Sequence, residues 1–170
     1  MQTVKIVALI FLTGVVGFYG ILRYNRPFGV RTCFIPCMVG ALYSYSRANS
    51  DKYPDDVDPF AALQMLYPEY VQNPELLAGI SGDRRATTLV VTSGGRLTSN
   101  ESSWVYIPGL STTNEAKTIM IYETRQGLAF NGARTSGRAV GFIDGSHWQI
   151  PEHEFQRLLQ MQTEKRRMTR

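Results

Sequence analysis

Cysteine and histidine, the residue types that most often bind transition metals, are scarce in this chain. Cys33 and Cys37 are its only cysteines, and His147 and His153 are its only histidines. A structural zinc site needs four such ligands at close spacing, and a disulfide-rich scaffold needs more cysteines. The sequence therefore predicts neither kind of site.

Sequence motifs for nucleophilic or phosphate chemistry are missing as well. Ser102, Ser103 and Ser111 have no histidine beside them, and no G-x-S-x-G motif occurs. Gly132 and Gly137 have the glycine spacing of a phosphate-binding loop, but the Lys-Ser/Thr that must follow is absent. We therefore expect a protein that is not an enzyme and that binds no cofactor.

The two cysteines stand four residues apart, so in a helix they share one face. A local disulfide is one interpretation, although helical geometry would strain it unless Pro36 opens the helix. Free thiols that face lipid or a partner protein are the interpretation that we favour.

Asp55, Asp56 and Asp58 form an acidic cluster. Such oxygen-rich loops can bind calcium. Alternatively, Asp58 caps the helix predicted after Pro59, while Asp55 and Asp56 are solvated. We favour the second interpretation and keep a calcium- or ligand-binding extracytoplasmic module as an alternative function.

The dipeptide Asp144-Gly145 is the clearest turn signal. An Asp-Gly pair between two strands predicts a type I′ hairpin, in which both turn residues have positive φ. His147 and Trp148 follow it, which raises the possibility of a ligand site. We favour plain hairpin geometry, with Trp148 covering the terminal helix.

The net charge of +4 is distributed unevenly. Residues 1–50 hold five basic residues and no acidic one, and residues 51–164 hold nine basic and fourteen acidic residues. Residues 165–170 add four basic ones. Because a nucleic-acid-binding domain needs a basic face, the acidic middle of the chain argues against a nucleic-acid partner.

An uncharged apolar run, Ile6–Leu22, lies between Lys5 and Arg23. As a helix it reaches about 25 Å, close to the thickness of a bilayer core. No small-x-small cleavage site follows it. We therefore expect residues 1–24 to form an uncleaved transmembrane anchor.

Three glycines in this run, Gly14, Gly17 and Gly20, would give the anchor a thin face for packing against another membrane helix. Ordinary tolerance of glycine in membrane helices is the alternative. Residues 25–36, which contain Pro27 and Pro36, are expected to form a juxtamembrane linker.

The rest of the chain predicts an α+β domain over residues 37–162. An amphipathic helix opens it, short helices follow the caps at Asp58 and Asn73, and a final helix begins at Pro151 and docks on the sheet. The predicted strands are Thr87–Thr92, Ser103–Ile107, Thr118–Tyr122, Arg138–Ile143 and Ser146–Ile150. Residues 163–170 form a basic tail, which would bind anionic lipid or an acidic partner surface, or would simply fray.

Five blocks of the sequence resemble, in the same order, a family of bacterial pseudopilin-like proteins. That family carries a prepilin-type N-terminal methylation domain and a terminal H-x9-DG motif, and it is similar to the pseudopilins of type II secretion. The blocks are SRANSDKYPDD, LYPEYVQNPELLAG, ESSWVYIPGL, MIYE and VGFIDGSHWQIPEHEFQRLL.

The resemblance implies a pilin-like head outside the cytoplasm, built from a helix packed on a small antiparallel sheet. The chain departs from the family at the processing site. A prepilin is cut between Gly and Phe or Met ahead of the apolar segment, with Glu at the fifth mature position. Here Gly17-Phe18 closes the apolar run and Leu22 holds that position. The family's motif histidine aligns with Arg134, and its usual second cysteine aligns near Ile80.

We therefore expect a non-enzymatic, membrane-anchored, pilin-like structural or scaffolding subunit of a larger membrane complex. Its partners would be other subunits, contacted through the anchor and the head, and the lipid bilayer. A minor pseudopilin of a type II secretion or type IV pilus system is an alternative. The resemblance implies an inner-membrane protein with a periplasmic head, whereas the arginines after the anchor favour a cytoplasmic head under the positive-inside rule.

Overall fold

The computed structural model describes residues 2–26, 33–129 and 131–168, without the side chains of residues 2–10. These residues have the predicted α+β fold, with five α-helices, a 3-10 helix and one antiparallel sheet. The helices are α1 (Gln2–Asn25), α2 (Phe34–Ala48), α3 (Pro59–Gln64), the 3-10 helix (Pro74–Ala78), α4 (Arg84–Thr92) and α5 (Glu152–Met168). The strands are β1 (Trp104–Tyr106), β2 (Ile119–Glu123), β3 (Gly137–Phe142) and β4 (His147–Pro151).

Helix α1 covers nearly all of the predicted anchor, residues 1–24. Among the residues that the structure describes, no helix is long and apolar enough to cross a membrane. Met1 and the side chains of residues 2–10, where the apolar run begins, lie outside the described residues. The anchor therefore stays a prediction. Of the predicted linker, Asn25 belongs to α1 and residues 34–36 belong to α2, while residues 27–32 lie outside the described residues.

The sheet has the order β1-β2-β3-β4, and each strand is antiparallel to its neighbour. The loops between consecutive strands therefore lie alternately at the two ends of the sheet. The connection from β2 to β3 contacts α1, so we call that end the α1 end. The connections from β1 to β2 and from β3 to β4 lie at the opposite end, which we call the far end.

Helices α2 and α5 pack on opposite faces of the sheet. On the α2 face, a Cβ built on Gly141 would overlap Val39 of α2 and would lie 2.9 Å from Ile121 Cγ2. On the other face, Val140 packs in a separate cluster with Phe155 of α5. Strand β3 is thus buried from both sides, and a side chain at residue 141 would push α2 away.

The terminal helix docks on the sheet, as predicted. Phe155 is buried, and Leu158 and Leu159 pack against the same cluster. The Gln162 side chain bonds both to the N–H and to the carbonyl of Ile119, each at 2.9 Å. Because Ile119 begins β2, the last turns of α5 reach the far end.

The basic tail continues α5 as far as Met168, and residues 169–170 lie outside the described part of the chain. Lys165 pairs with Glu115 at 2.8 Å, and Arg166 donates to the carbonyl of Pro108 at 2.8 Å. Both contacts lie at the far end. Residues 163–168 are therefore ordered on the side of the head away from α1, and the expectation that they fray is wrong.

The strand predicted over Thr87–Thr92 is wrong, because these residues form the body of α4. The Asp83 carboxylate caps the helix by accepting from the N–H groups of Arg85 and Ala86, both at 3.0 Å. Thr87 and Val91, one helical turn apart, are buried. Burial at helical spacing and a strong cap outweigh the strand preference of the β-branched residues.

The hairpin forms where it was predicted, but its turn is not type I′. Among the described residues, positive φ at non-glycine positions occurs at Cys33, Ser50 and Asp51, and not at Asp144. Gly145 has φ 82°, and its N–H donates to the Phe142 carbonyl. The N–H of Phe142 in turn donates to the Ser146 carbonyl. Residues 143–145 thus form a three-residue loop inside the Phe142–Ser146 pair, with a type I turn followed by a left-handed glycine.

The close approach of α2 to the sheet gives a first prediction. Replacing Gly141 with Ala should lower the free energy of unfolding by about 1–3 kcal/mol, because the new methyl group overpacks the core against Val39. Gly40, on the exposed side of α2, is the matched control. A Cβ built there meets no atom within 4 Å, so Gly40→Ala should be neutral or stabilising. Urea unfolding of both variants tests the idea, and equal stabilities would refute it.

Candidate functional site

Helix α1 presents a continuous apolar surface over its described side chains. Its large apolar side chains from residue 11 onward are between 46% and 74% exposed. They are Phe11, Leu12, Val15, Val16, Phe18, Tyr19, Ile21, Leu22 and Tyr24. Exposed apolar groups of this number in one element indicate contact with lipid or another protein.

The glycines of α1 lie together on one side of the helix. At about 100° per residue, Gly14, Gly17 and Gly20 fall within an arc of about 120°. A Cβ built on each of them meets nothing within 4 Å. The helix therefore has a thin face made by the three glycines, on which Ile21 and Tyr24 also lie near the helix end, and a bulky face made by the other large apolar side chains.

The last turn of α1 is held to the head by Arg134, in the connection between β2 and β3. The Arg134 Nε donates to the Tyr24 carbonyl at 2.6 Å, and its backbone N–H donates to the Asn25 carbonyl at 3.0 Å. The guanidinium also lies 4.6 Å above the Tyr24 ring. The last carbonyls of a helix have no partner within the helix and favour a cation nearby, so Arg134 stabilises this helix end.

Cys33 and Cys37 form a disulfide at the start of α2, so the expectation of free thiols is wrong. Cys33 is not part of the helix. It is the N-cap residue, with φ 65°, and its Cα lies 5.3 Å from that of Cys37. The strain expected for two helical cysteines is thereby avoided.

A buried glutamate, Glu123, lies at the α1 end of β2 and is fully shielded from solvent. It accepts from the N–H of Ile80 at 2.8 Å and from the hydroxyls of Ser81 at 2.5 Å and Ser103 at 2.9 Å. It therefore fixes the segment after the 3-10 helix to the sheet. Glu123 is not among the predicted site residues, since no local sequence pattern distinguishes a buried glutamate from a solvated one.

Burial raises the pKa of the Glu123 carboxyl, and the hydrogen bonds from Ser81, Ile80 and Ser103 only partly oppose that shift. A carboxyl with a raised pKa beside hydroxyl groups can be part of a catalytic site. Here the Ser103 hydroxyl also accepts from the backbone N–H of Ser81 at 3.2 Å. The cluster is therefore tied into backbone contacts, and we assign it a structural role.

The acidic cluster is divided among local contacts. Asp58 accepts from the N–H of Phe60 at 3.1 Å, which confirms the predicted cap, and pairs with Arg96 at 2.9 Å. Asp56 accepts from the Asp58 N–H at 2.8 Å, and Asp55 is exposed. Within the described ranges, no group of three or more histidine, cysteine, aspartate or glutamate side chains is placed to hold a metal ion.

The hairpin residues also have structural contacts. Asp144 pairs with Lys117 at 3.1 Å and accepts from the N–H of Ser146 at 2.9 Å. Trp148 is 59% exposed, so the prediction that it covers the terminal helix is wrong. Ile150, two residues along the same edge strand, packs against the cluster that contains Phe155 instead.

No protein-family model matches the chain, and no curated protein and no solved structure is detectably similar to it. The resemblance to pseudopilin-like proteins therefore stays a prediction.

The contact of Arg134 with α1 can be tested by hydrogen exchange. Arg134→Ala should raise the exchange rate of amides in the last turn of α1 by about fivefold, the equivalent of about 1 kcal/mol for a charge at a helix end. Arg47→Ala, which removes an exposed arginine from the last turn of α2, is the control. If α1 exchanges alike in both variants, Arg134 does not hold it.

The buried carboxyl predicts a pH effect on stability. Because its pKa is raised in the folded protein, Glu123 keeps its proton to a higher pH than in the unfolded chain. Stability is therefore lost as the pH rises from the ordinary carboxyl range through the raised pKa. Glu123→Gln retains an acceptor for Ile80 and does not ionise, so its unfolding free energy relative to wild type should rise over that interval.

Urea unfolding across this pH range measures the Glu123 effect, with the exposed Glu69→Gln as control. A stability difference between Glu123→Gln and wild type that stays constant with pH would contradict the raised pKa.

Proposed function

We propose that the protein is a non-enzymatic scaffolding subunit of a larger membrane complex, held in the bilayer by α1 as a single-pass anchor. The observation that carries the proposal is the exposed apolar surface of α1. A helix with apolar side chains on most of its circumference needs an apolar environment around it. Lys5 and Arg23 flank this surface at the positions where basic side chains reach the interface of a membrane.

The two faces of α1 support the role of a subunit rather than of a solitary anchored domain. Lipid would cover the bulky face. The thin face of Gly14, Gly17 and Gly20 would lie against a neighbouring membrane helix, because small residues let two helix backbones approach closely.

The architecture of the head supports the pilin-like part of the proposal. Its first helix, α2, buries an apolar stripe that includes Ile35, Met38 and Leu42, and it packs on a four-stranded antiparallel sheet. This is the arrangement that the resemblance implied. A shared arrangement supports a shared fold more strongly than a shared task.

Placement of the head in the periplasm, with α1 in the inner membrane, is supported by the Cys33–Cys37 disulfide. Disulfides persist in oxidising compartments and are rare in the cytosol. The charge bias that favours the opposite orientation comes from Arg23, Arg26 and Arg31, and folded domains often cross a membrane despite such a bias.

The far end of the head is the proposed contact for partner proteins. Lys165, Arg166 and Arg167 lie in the last turn of α5, at the end of the sheet away from α1. They are therefore distant from the lipid that would surround α1. An acidic surface of another subunit fits them better than anionic lipid.

A minor pseudopilin of a type II secretion or type IV pilus system is the second candidate, favoured by the packing of α2 on the sheet. It requires a processed N-terminus. The mass of the protein purified from membranes distinguishes the two, because a retained Met1 or Gln2 excludes the pseudopilin.

A charge in α1 provides the test of the anchor. Val16→Asp should move most of the protein from the membrane fraction to the soluble fraction after carbonate extraction, because an aspartate at the centre of a membrane helix costs about 3 kcal/mol. Leu89→Asp is the control, since it charges an equally exposed apolar residue on the head. The anchor would be overturned if carbonate released the wild-type protein from the membrane fraction, or if Val16→Asp fractionated like the control.

A further inference from the structure

The Cys33–Cys37 disulfide lies where a dissolved thiol can reach it. Cys33 is exposed, and Cys37 is half-buried. Neither belongs to the two clusters of buried residues that form the core. A thiolate from another molecule can therefore approach Cys33 Sγ without unfolding of the head.

The disulfide also lies at the N-terminus of a 15-residue helix, α2. Cys33 is the N-cap residue, and Cys37 lies in the first turn. Helix N-termini stabilise negative charge, so the thiolates of both residues are favoured there relative to a free cysteine. A thiolate that is stabilised in this way is a better leaving group, which speeds the opening of the disulfide.

In the oxidised form, Cys33 has a disfavoured backbone conformation. Its φ of 65° lies in the left-handed region, which residues with a Cβ adopt rarely. As half of a disulfide, its side chain makes no capping hydrogen bond to α2. Reduction would leave a sulfur that can accept from the first N–H groups of α2, and this favours the reduced form.

We propose that Cys33–Cys37, oxidised in the compartment of the head, is a redox-active disulfide that undergoes exchange with a dithiol protein of the same compartment. A thiolate of the dithiol attacks Cys33 Sγ, the disulfide breaks, and Cys37 leaves as a thiolate. The second thiolate of the dithiol then attacks the dithiol's own sulfur in this mixed disulfide, and the bond to Cys33 Sγ breaks. Cys33 is released, and two electrons and two protons have passed to this chain, while the dithiol has become a disulfide.

Exchange at this place would act on the connection between α1 and the head. Cys33 lies eight residues after Asn25, the last residue of α1. Cleavage of the disulfide removes the covalent ring that holds the chain at the start of α2, while the Arg134 contact remains. Reduction should therefore raise hydrogen exchange of the Cys37 amide, which donates to the Cys33 carbonyl at 2.8 Å, and leave the amides of β2 and β3 unchanged.

The decisive experiment compares reduction rates of the full-length protein. Dithiothreitol is added to the folded protein and to the same protein unfolded in urea, and free thiols are counted by alkylation and mass spectrometry. We expect a folded-to-unfolded rate ratio of about one or more, because the bond is exposed and its leaving thiolate is stabilised. A folded protein that reacts about tenfold more slowly would overturn the proposal.

Two single-cysteine variants provide a second measurement that does not depend on the disulfide. The pH dependence of iodoacetamide alkylation gives the pKa of Cys37 in Cys33→Ser and that of Cys33 in Cys37→Ser. We expect a pKa below the free-cysteine value of about 8.5 for at least Cys37. Values at or above it for both thiols would refute the redox role. A retained near-ultraviolet signal from the buried aromatic side chains, Trp104 among them, verifies that each variant is folded.

Discussion

The double coverage of β3 is the constraint on which the rest of the head depends. Gly141 admits α2 on one face because any side chain there would meet Val39, and Val140 packs with Phe155 of α5 on the other. The three layers fix where each functional part lies. Helix α2 brings the disulfide to the α1 end, helix α5 brings its basic last turn to the far end, and β2 ends at the buried Glu123.

Because the sheet is antiparallel, the two ends of the head carry different strand connections. The connection from β2 to β3 supplies Arg134 to α1, whereas the other two connections lie some five residues away along the strands. A single antiparallel sheet thus separates the proposed membrane contact from the proposed protein contact. It also separates Ser103, at the α1 end, from His147, at the far end, which accounts for the lack of a serine–histidine pair between them.

The sequence predicted the parts whose signals are local. The caps at Asp58 and Asn73, the strands from Trp104 onward and the terminal helix have short-range patterns, and all of them are confirmed. The parts that depend on tertiary packing were missed. Burial of Thr87 made a helix of a strand-like segment, and the contacts of Glu123 and Arg134 join residues far apart in the chain. The disulfide was not predicted because it depends on the backbone of Cys33. This residue lies just before the first residue of α2 and is not helical.

The contact of Arg134 with α1 fixes the orientation of the faces of α1 relative to the head. It binds the carbonyls of Tyr24 and Asn25 from one side and lies over the Tyr24 ring, so it restricts rotation of α1 about its own axis relative to the head. The thin face of Gly14, Gly17 and Gly20 then points to a defined side of the protein. A neighbouring subunit that packs on this face in the membrane would meet the head on that same side. The proposed scaffold would need such a fixed relation between its membrane contact and its head contact, and the Arg134 contact would supply it.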